Sequence, residues 1–524
     1  MLRIHNVKVN LGKRDDKKIL SQVLNIREKD ILSVKLIKMS VDARRSHVSW
    51  ICSYDFEVKD EEKVLHDHPK VSRVEPYRYH YFPRNDQRVV IVGSGPAGLF
   101  CAYVLAMVGQ DVTVIERGKQ VEERIKDVEL LFKEGKLQKN SNIAFGEGGA
   151  GTFSDGKLTT GIKNERLSYV LETFVKHGAP KDILYLAKAH IGTDYLRKVI
   201  VNMRKFMEEK GVRFLFDTQM IDFTKHDDRI CVKVKHQKEI SHIECDDLVL
   251  AIGHSARDTY EMLYEKGLSM EAKAFAVGVR IEQSQQKINQ IQYKKSASSP
   301  YLKAASYKLA VHPSTHRGVY TFCMCPGGYV VPSSTEEGML CVNGMSYYDR
   351  SGYNANSAIL VNVNPDDFSS DHPLADIAFQ RDLEKKAYDL GKNGKAPVQR
   401  VMDYLNHTPS SYLGDIKPTF MPGYTLCDLH SLFPSYINES LEEGLMMMNK
   451  KMPGFIDEDA LLTGVEARSS APVRLLRNQE YMSSIDGVYP IGEGAGYAGG
   501  IMSAAVDGIM CAEMILREDK NGSS

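Results

Sequence analysis

The sequence predicts an α/β fold with a parallel-sheet domain, an inserted mixed α+β region and a separate N-terminal α+β module. Two observations carry this prediction. Apolar strands alternate with helices between residues 88 and 267, which is typical of a parallel sheet, and the same pattern returns after residue 456. Between these stretches, residues 269–455 show mixed strands, Gly/Pro/Ser turns and one long helix at about 373–392. At 524 residues, the chain is also too long for a single core.

The predicted domain boundaries follow these changes of pattern. Residues 1–86 form the N-terminal module, and the segment "YFPRNDQR" at its end is the predicted linker. Residues 87–268 form the first part of a discontinuous α/β domain, and residues 456–524 form its C-terminal return. Residues 269–455 are predicted to form a cap domain over it.

The N-terminal module reads as strand, helix, two strands, helix and strand. The strands are "RIHNVKV", "ILSVKLIKMSV", "HVSWICSYDFEV" and "VSRVEPYRYH", and the helices are "KKILSQVLNI" and "DEEKVLHD". This order is the ferredoxin-like, split βαβ arrangement. Residues 1–50 hold twelve Lys or Arg and five Asp or Glu. A basic solvated surface is the ordinary interpretation, and a docking surface for RNA or a protein partner is the alternative.

Composition excludes several classes of protein. Lys and Arg number 68, as do Asp and Glu, so a nucleic-acid partner is not expected. Nine irregularly spaced cysteines argue against a secreted disulfide framework. No apolar run is long enough to span a membrane, and the N-terminus lacks a signal-peptide core, so the expected location is cytoplasmic. The pair His66 and His68 has no further ligands nearby, so no metal site is predicted.

A glycine motif follows the first strand of the α/β domain. "VVIVGSGPAGLFCAYVLAMVGQDVTVIERG" places Gly93, Gly95 and Gly98 between a strand and a helix, and a second strand ends at Glu116. This context is the complete dinucleotide-binding fingerprint of a Rossmann-like domain. The glycines serve the tight turn, the approach to the pyrophosphate and helix packing, and Glu116 is predicted to bind the adenosine ribose. The predicted binding residues here are Gly93, Ser94, Gly95, Pro96, Ala97, Gly98, Glu116 and Arg117.

A second glycine-rich turn, "GVYPIGEGAGYAGGIMSAAVDGI", lies near the end of the chain. One fingerprint is sufficient for NAD(P), whereas FAD is long enough to need a distant second segment, so FAD is the predicted cofactor. Glu493 is predicted to bind the ribityl hydroxyls, and the following helix would stabilise negative charge on the reduced flavin. A tightly packed helix crossing is the alternative explanation of these glycines. The predicted contacts are Gly492, Glu493, Gly500 and Ile501.

Five segments carry a resemblance to a known family. They are "GGAGTFSDGKLTTG", "LVLAIGHSARD", "TFCMCPGGYVV", "GVEARSSAPVR" and "GEGAGYAGGIMSAAVDG", and they occur in this order between residues 148 and 508. The chain resembles the two-dinucleotide-binding-domain flavoproteins, which share the glutathione-reductase-like FAD fold. Within them, it is similar to the group called uncharacterised FAD-dependent dehydrogenases. The acidic residue of the last motif is usually Asp in this superfamily, and here it is Glu493.

The resemblance implies further cofactor contacts. The segment around residues 146–157 has the glycines of a fingerprint but no strand–turn–helix context, so it is not a second nucleotide site. By resemblance it is predicted to line the pyrophosphate and the flavin through Gly149, Gly151, Thr152 and Ser154; a polar surface loop is the alternative. Ser154, Asp155 and Lys157 are candidates to contact flavin N5, O4 or the substrate, and Lys157 is a candidate catalytic residue that would tune the flavin. Gly253 is expected where its strand leaves the sheet beside the cofactor.

Three groups are candidates for chemistry. His254 is a candidate general acid or base, although a hydrogen bond to backbone is its alternative role. Arg468 is a candidate to stabilise the reduced flavin or grip a substrate carboxylate; a structural ion pair between Glu466 and an arginine is the equal alternative. Cys323 and Cys325 would share one face of a strand, as a dithiol relay or as buried structural thiols.

The predicted function is that of an FAD-dependent oxidoreductase, a dehydrogenase or reductase. Hydride would pass between flavin N5 and an unidentified small-molecule substrate beneath the cap, and a hydrophobic tunnel there would favour a lipid-like substrate. No second complete nucleotide motif is present, so NAD(P)H is expected only as a transient electron donor from the substrate side. The alternatives are an RNA-modifying or RNA- or protein-docking flavoprotein that uses the N-terminal module, and a flavin-binding sensor without turnover.

Overall fold

The structure is a computed structural model that describes residues 1–44, 47–368 and 370–517. The end of the predicted C-terminal return, residues 518–524, lies outside this description. No helix within the described residues is both long and apolar enough to cross a membrane.

The N-terminal module is a four-stranded antiparallel sheet in the order β2-β3-β1-β4. Its elements are β1 (Leu2–Asn10), α1 (Asp16–Leu24), β2 (Ile31–Asp42), β3 (Ser49–Val58), α2 (Glu61–Asp67) and β4 (Val71–Arg73). Asp15 and Asp60 begin the two helices because each carboxylate accepts a backbone N–H of the first turn. This succession of strands and helices is the one that the sequence predicts.

The dinucleotide-type domain is built on a five-stranded parallel sheet in the order β23-β11-β5-β6-β7, in which β23 (Val488–Pro490) comes from the end of the chain. Its first part contains β5 (Arg88–Val92), α3 (Pro96–Met107), β6 (Asp111–Ile115), α4 (Val121–Glu134), α5 (Arg166–Lys176), α6 (Thr193–Glu209), β7 (Arg213–Leu215), β8 (Thr218–His226), β9 (Arg229–His236), β10 (Glu239–Cys245), β11 (Asp247–Leu250) and α7 (Arg257–Glu265). The strands of the parallel sheet are mostly apolar because both faces are covered: α3 packs on one face, and β8 and β9 pack with α7 on the other. Strands β8, β9 and β10 form a separate antiparallel sheet.

The region after α7 is dominated by a seven-stranded sheet in the order β14-β15-β18-β13-β21-β19-β20. The elements are β12 (Met270–Ala272), β13 (Phe275–Ser284), α8 (Gln285–Tyr293), β14 (Ala310–Val311), β15 (Val319–Cys325), β16 (Tyr329–Pro332), β17 (Val342–Met345), β18 (Asn354–Val363), α9 (Ala375–Gly391), β19 (Ala396–Arg400), α10 (Val401–Leu405), β20 (Tyr424–Leu426), α11 (Ser435–Lys451), β21 (Leu461–Glu466) and β22 (Val473–Leu475). The long helix predicted at about 373–392 is α9.

Strand β21 lies in the middle of this sheet, although the predicted boundary at residue 455 placed it in the C-terminal return. It pairs with β13 and with β19. Such pairing joins segments far apart in sequence, and local pattern therefore does not reveal it.

The chain then returns to the parallel sheet through β23 (Val488–Pro490) and α12 (Ile501–Arg517). Strand β23 pairs in parallel with β11. Helix α12 packs so closely on α3 that a Cβ added to Gly508 would lie 2.0 Å from the Ala97 carbonyl oxygen. Two segments distant in sequence thus meet at the carboxyl edge of one sheet.

Candidate functional site: a cofactor cleft beneath the cap

The first glycine turn is shaped partly by packing within the protein. Gly93 has a φ of +104°, and a Cβ there would lie 2.2 Å from the Ala251 carbonyl oxygen. A Cβ at Gly98 would lie 2.0 Å from the Gly93 carbonyl oxygen. These two positions therefore require glycine for the turn and for the packing of α3 against the sheet.

Gly95 and Gly499 lie in open space. Neither has the left-handed φ that favours glycine. Within the described residues, a Cβ at Gly95 would approach only Gly149 Cα, at 3.9 Å, and a Cβ at Gly499 would have no neighbour within 4 Å. Since neither turn geometry nor internal packing explains these glycines, the space beside them fits a group that approaches the backbone closely.

Both glycines line one cleft that encloses about 1420 Å³ of empty space, including the solvent at its mouth. Fifteen of the predicted site residues line it: Gly93, Gly95, Pro96, Ala97, Glu116, Arg117, Gly149, Gly151, Ser154, Gly253, His254, Arg468, Glu493, Gly500 and Ile501. The other five predicted residues are not among its lining: Ser94, Gly98, Thr152, Lys157 and Gly492. The cleft also includes cap residues that the sequence did not single out, among them Phe322 and Asn343.

Glu116 lines the cleft, but its carboxylate also holds three loops together. Oε2 accepts the Ser94 N–H at 2.9 Å and the Ser94 hydroxyl at 2.8 Å. Oε1 accepts the N–H groups of Gly118 at 2.9 Å and of Gly146 at 3.0 Å. The predicted ribose ligand thus already has four donors from the protein, and Ser94 supports Glu116 rather than lining the cleft.

The buried side chain of Arg124 organises the glycine-rich segment that follows. Its guanidinium donates to the carbonyl oxygens of Asn142, Ile143, Glu147 and Gly149, at 2.7–2.9 Å. Burial lowers the pKa of Arg124 to about 9, so it stays charged at neutral pH. The sequence carries no signal for this role, because Arg124 stands in a charged stretch typical of an exposed helix face.

The glycines of the C-terminal turn fall into two groups. Some are explained by a tight helix crossing, and others face the space where a cofactor would lie. A tight crossing accounts for Gly494, where a Cβ would lie 2.6 Å from the Gly253 carbonyl oxygen, and for Gly508. Gly500 instead has φ +150° and faces open space in the cleft. Gly492 donates its N–H to Asp507 Oδ2 at 2.7 Å and supports the turn from behind.

Glu493 lies at the end of this turn and is half-buried in the cleft. Its carboxylate makes no hydrogen bond or ion pair to other described side chains or backbone. An acidic side chain with free acceptor atoms in the cleft fits the hydroxyl-binding role predicted for it.

His254 also lines the cleft, directly after the exit of β11. Its Nδ1 lies 3.1 Å from Ser255 Oγ. Burial lowers the pKa of His254, with Glu493 opposing this shift and Arg468 and Arg257 adding to it. The imidazole is therefore neutral at physiological pH.

Arg468 is committed to an ion pair, which corrects the prediction that it is free for catalysis. Its Nε and Nη2 donate to the two carboxylate oxygens of Glu384, at 2.7 and 2.6 Å, and Nη1 donates to Thr335 Oγ1 at 2.6 Å. Glu466 does pair with an arginine, but this is Arg280, whose Nη1 lies 2.5 Å from Glu466 Oε2. The predicted structural pair of Glu466 is therefore formed with Arg280, and Arg468 has a separate structural partner in Glu384.

The prediction that Lys157 and Asp155 contact flavin or substrate is also not supported by the structure. The Lys157 ammonium donates to the Met324 carbonyl oxygen and does not line the cleft. Asp155 Oδ2 accepts from Arg350 Nη2 at 2.7 Å. Both side chains instead fasten the glycine-rich segment to the cap.

The two cysteines of β15 do not share a face, contrary to the prediction. The register of β15 shifts between Phe322 and Cys325, and Cys323 has φ +41°. Such a bulge reverses the alternation of side chains, so Cys323 faces the cleft while Cys325 is buried. Arg280 holds the bulge by donating from Nη2 to the Cys323 carbonyl oxygen at 2.7 Å.

Comparisons with known proteins agree with this architecture. Residues 88–144 match the family described as pyridine nucleotide-disulphide oxidoreductase, and residues 274–469 match that described as FAD-dependent protein, C-terminal domain-like. A Clostridium beijerinckii protein described as "Uncharacterized protein" is 45% identical over 531 aligned residues, which cover 99% of both chains. The fold and the cleft define an FAD-binding flavoprotein. The chain belongs to the FAD-binding flavoprotein oxidoreductase family, and its cofactor is FAD.

Solved structures give weaker similarities. CmlS, a flavin-dependent halogenase, has a TM-score of 0.37 at 12% identity, over 83% of this chain and 58% of that chain. A geranylgeranyl bacteriochlorophyll reductase-like protein from Thermoplasma acidophilum has a TM-score of 0.35 at 12% identity, over 82% and 78%. A flavoprotein/dehydrogenase from Cytophaga hutchinsonii has a TM-score of 0.35 at 10% identity, over 83% and 78%.

Proposed function

We propose that the protein is an FAD-dependent oxidoreductase that passes hydride between flavin N5 and a small-molecule substrate beneath the cap. One observation carries the proposal. A single cleft is lined by the fingerprint turn at Gly95, by the C-terminal turn at Gly500 and by cap residues that include Phe322 and Asn343. A cofactor held by the first two elements would therefore share its space with whatever the cap admits.

The residues that would hold FAD are those of the two turns. The N-terminus of α3, which begins at Pro96, offers free N–H groups and the positive end of a helix dipole to the pyrophosphate. Glu493 would accept hydrogen bonds from the ribityl hydroxyls, and the N-terminus of α12 lies beside Gly500. When bound, FAD supplies the capacity to take up and give back hydride.

The protein's own contribution is orientation and proton handling. His254 is the proposed proton carrier, since Ser255 engages its Nδ1 and its neutral imidazole can exchange a proton at Nε2. Burial is the main cause of the lowered pKa of His254, and the positive charges of Arg468 and Arg257 add to it. They act as positioning residues, because their guanidinium groups are held by Glu384.

The composition of the cleft lining favours turnover over a sensor. A sensor without turnover would need no substrate space beside its flavin, whereas Phe322 and Asn343 of the cap line the same cleft as the two glycine turns. NAD(P)H is the proposed transient electron donor and would enter from the cap side, since one nucleotide fingerprint occurs in the sequence.

The test is an anaerobic reduction experiment. The purified yellow protein is mixed with NADH and, separately, with NADPH, and the flavin absorbance is followed. Rapid bleaching by either nucleotide is expected and would establish the reductive half-reaction. A flavin that bleaches with dithionite but with neither nucleotide would remove NAD(P)H and make the substrate itself the electron source. Protein that purifies without FAD and does not take it up would overturn the proposal.

A further inference from the structure

Three side chains from separate parts of the cap meet at its surface, outside the cofactor cleft. They are His407, His430 and Glu442, and one ligand atom of each lies within 4.8 Å of the others. None of the three lines the cleft. We propose that this His407–His430–Glu442 cluster binds one divalent transition-metal ion, Zn²⁺ in particular, with water in the remaining coordination position.

The distances between the ligand atoms fit such an ion. His430 Nε2 lies 3.0 Å from Glu442 Oε1, and His407 Nε2 lies 3.4 Å from Glu442 Oε2. Two ligands bound to zinc at about 2.0–2.1 Å with tetrahedral angles are about 3.3 Å apart. Each imidazole thus places its Nε2 near an oxygen of the same carboxylate, at nearly the distance that separates two ligands of one zinc ion.

The second nitrogen of His430 is already oriented by a carboxylate. His430 Nδ1 lies 2.8 Å from Asp428 Oδ1. This is the carboxylate–histidine arrangement that selects the tautomer of a metal-binding histidine and leaves Nε2 directed at the ion.

Packing holds the His430 ligand rigidly. The ring of His430 stacks on Tyr404 with centroids 4.2 Å apart, and Asn438 Nδ2 donates to the His430 carbonyl oxygen at 2.9 Å. The Tyr404 hydroxyl in turn donates to Asn438 Oδ1 at 2.9 Å. A preformed ligand of this kind loses little conformational freedom when the ion binds.

His407 is the exposed ligand and has an uncommon backbone conformation. Its φ is +53°, in the left-handed region that costs free energy for a residue with a side chain. Its N–H donates to the Tyr404 carbonyl oxygen, and its ring stacks on His430 with centroids 4.6 Å apart. This conformation places the imidazole beside His430 and Glu442. Because the two histidine rings are nearly parallel, at 23°, the exposed His407 ring rotates for both Nε2 atoms to face one ion.

The donor set selects the class of ion. Two imidazole nitrogens and one carboxylate suit Zn²⁺ and exclude Mg²⁺ or Ca²⁺ as preferred ions, because the latter favour oxygen ligands. The bound ion would connect the turn after α10, the segment before α11 and α11 itself. Since the ligands are spread over residues 407–442, no short spacing in the sequence announces the site.

The test is zinc binding to the full-length, FAD-loaded protein, without an affinity tag and after removal of metals with a chelator. Isothermal titration with zinc chloride is expected to show one ion per chain. X-ray absorption at the zinc edge should give nitrogen or oxygen neighbours at about 2.0–2.2 Å and no sulfur shell at about 2.3 Å. X-ray absorption therefore distinguishes zinc bound at the His407–His430–Glu442 cluster from zinc bound by free cysteines.

Variants then assign the site. His407→Gln removes the exposed ligand, which has little packing to lose, and should weaken zinc binding by more than about 100-fold; Asp428→Asn should weaken it by about 10–100-fold. His66→Gln is the matched control, because His66 is also exposed and paired with a carboxylate, and it should leave binding unchanged. A wild-type protein that binds no zinc, a sulfur shell, or unchanged binding in His407→Gln would each overturn the proposal.

Discussion

Arg468 and Glu384 form a buried bidentate ion pair, with Arg468 Nε 2.7 Å from Oε1 and Nη2 2.6 Å from Oε2 of the carboxylate. Arg257 shares the same carboxylate, with Nη2 2.7 Å from Oε1. Burial alone would raise the pKa of Glu384, but Arg468 and Arg257 outweigh it and lower the pKa. One carboxylate on α9 therefore connects the start of α7, the segment after β21 and the cap.

Replacing Glu384 should be strongly destabilising. Glu384→Ala would leave the buried Arg468 guanidinium without a carboxylate and Arg257 with Glu336 as its remaining partner, at a cost of about 3–5 kcal/mol. The measurement is the shift in thermal or urea unfolding, followed by circular dichroism. Lys385→Ala on the same helix is the control, because Lys385 forms an exposed pair with Asp389 and should change stability by less than about 0.5 kcal/mol. Equal effects of the two substitutions would contradict the role of Glu384.

Adding a side chain at Gly95 should abolish FAD binding. The Gly95→Val side chain would occupy the open space beside the turn, where the pyrophosphate is expected to approach. The measurement is the ratio of flavin to protein absorbance after purification. Gly161→Val is the control, because Gly161 also has free space around its Cβ but lies outside the cleft lining. A Gly95→Val protein with a full complement of flavin would show that the cofactor lies elsewhere.

Asp376 should make stability depend on pH. Both carboxylate oxygens are buried without a hydrogen-bond partner among the described residues, and burial raises the pKa of Asp376 to about 7. A raised pKa in the folded state stabilises the protein below the unfolded-state pKa, and this contribution is lost as the pH rises through the folded-state pKa. Between pH 5 and pH 8, ionisation of Asp376 should lower the free energy of unfolding by about 2–3 kcal/mol.

Asp376→Asn removes that ionisation and tests the assignment. The unfolding free energy of the variant should fall less than that of the wild type between pH 5 and pH 8, and it should exceed the wild-type value at the higher pH. Urea unfolding at both pH values gives the comparison. The same pH dependence in both proteins would mean that Asp376 ionises normally.

The two cysteines of β15 should be dispensable for electron transfer. Cys323 faces the cleft while Cys325 is buried beyond the bulge, so the two thiols are not placed as a dithiol pair. The double variant Cys323→Ser/Cys325→Ser is therefore expected to keep flavin reduction by dithionite and, within about twofold, the rate of bleaching by NAD(P)H. Loss of turnover with unchanged dithionite reduction would instead support a dithiol relay.

The cofactor turns were predictable because their information is local. Gly93 and Gly98 stand at fixed distances from a buried strand and a helix start, and this spacing alone specifies a tight turn at a helix N-terminus. The same local spacing, between a strand and a helix start, also predicted the turn at Gly500. The partners of Glu116 and the role of Arg124 were not, since both depend on how residues 142–149 fold back over the turn.

Local spacing was sufficient for the strand–turn–helix units, the order of elements in the N-terminal module and the positions of the two glycine turns, because periodicity and glycine position act over a few residues. Long-range pairing set the rest. It placed β21 in the cap sheet and determined that Arg468 forms its ion pair with Glu384. It also introduced the one-residue bulge that exposes Cys323. It also brought His407 to Glu442. Each of these outcomes depends on which distant segments pack together, and a one-residue change in strand register is enough to reverse the face that a side chain occupies.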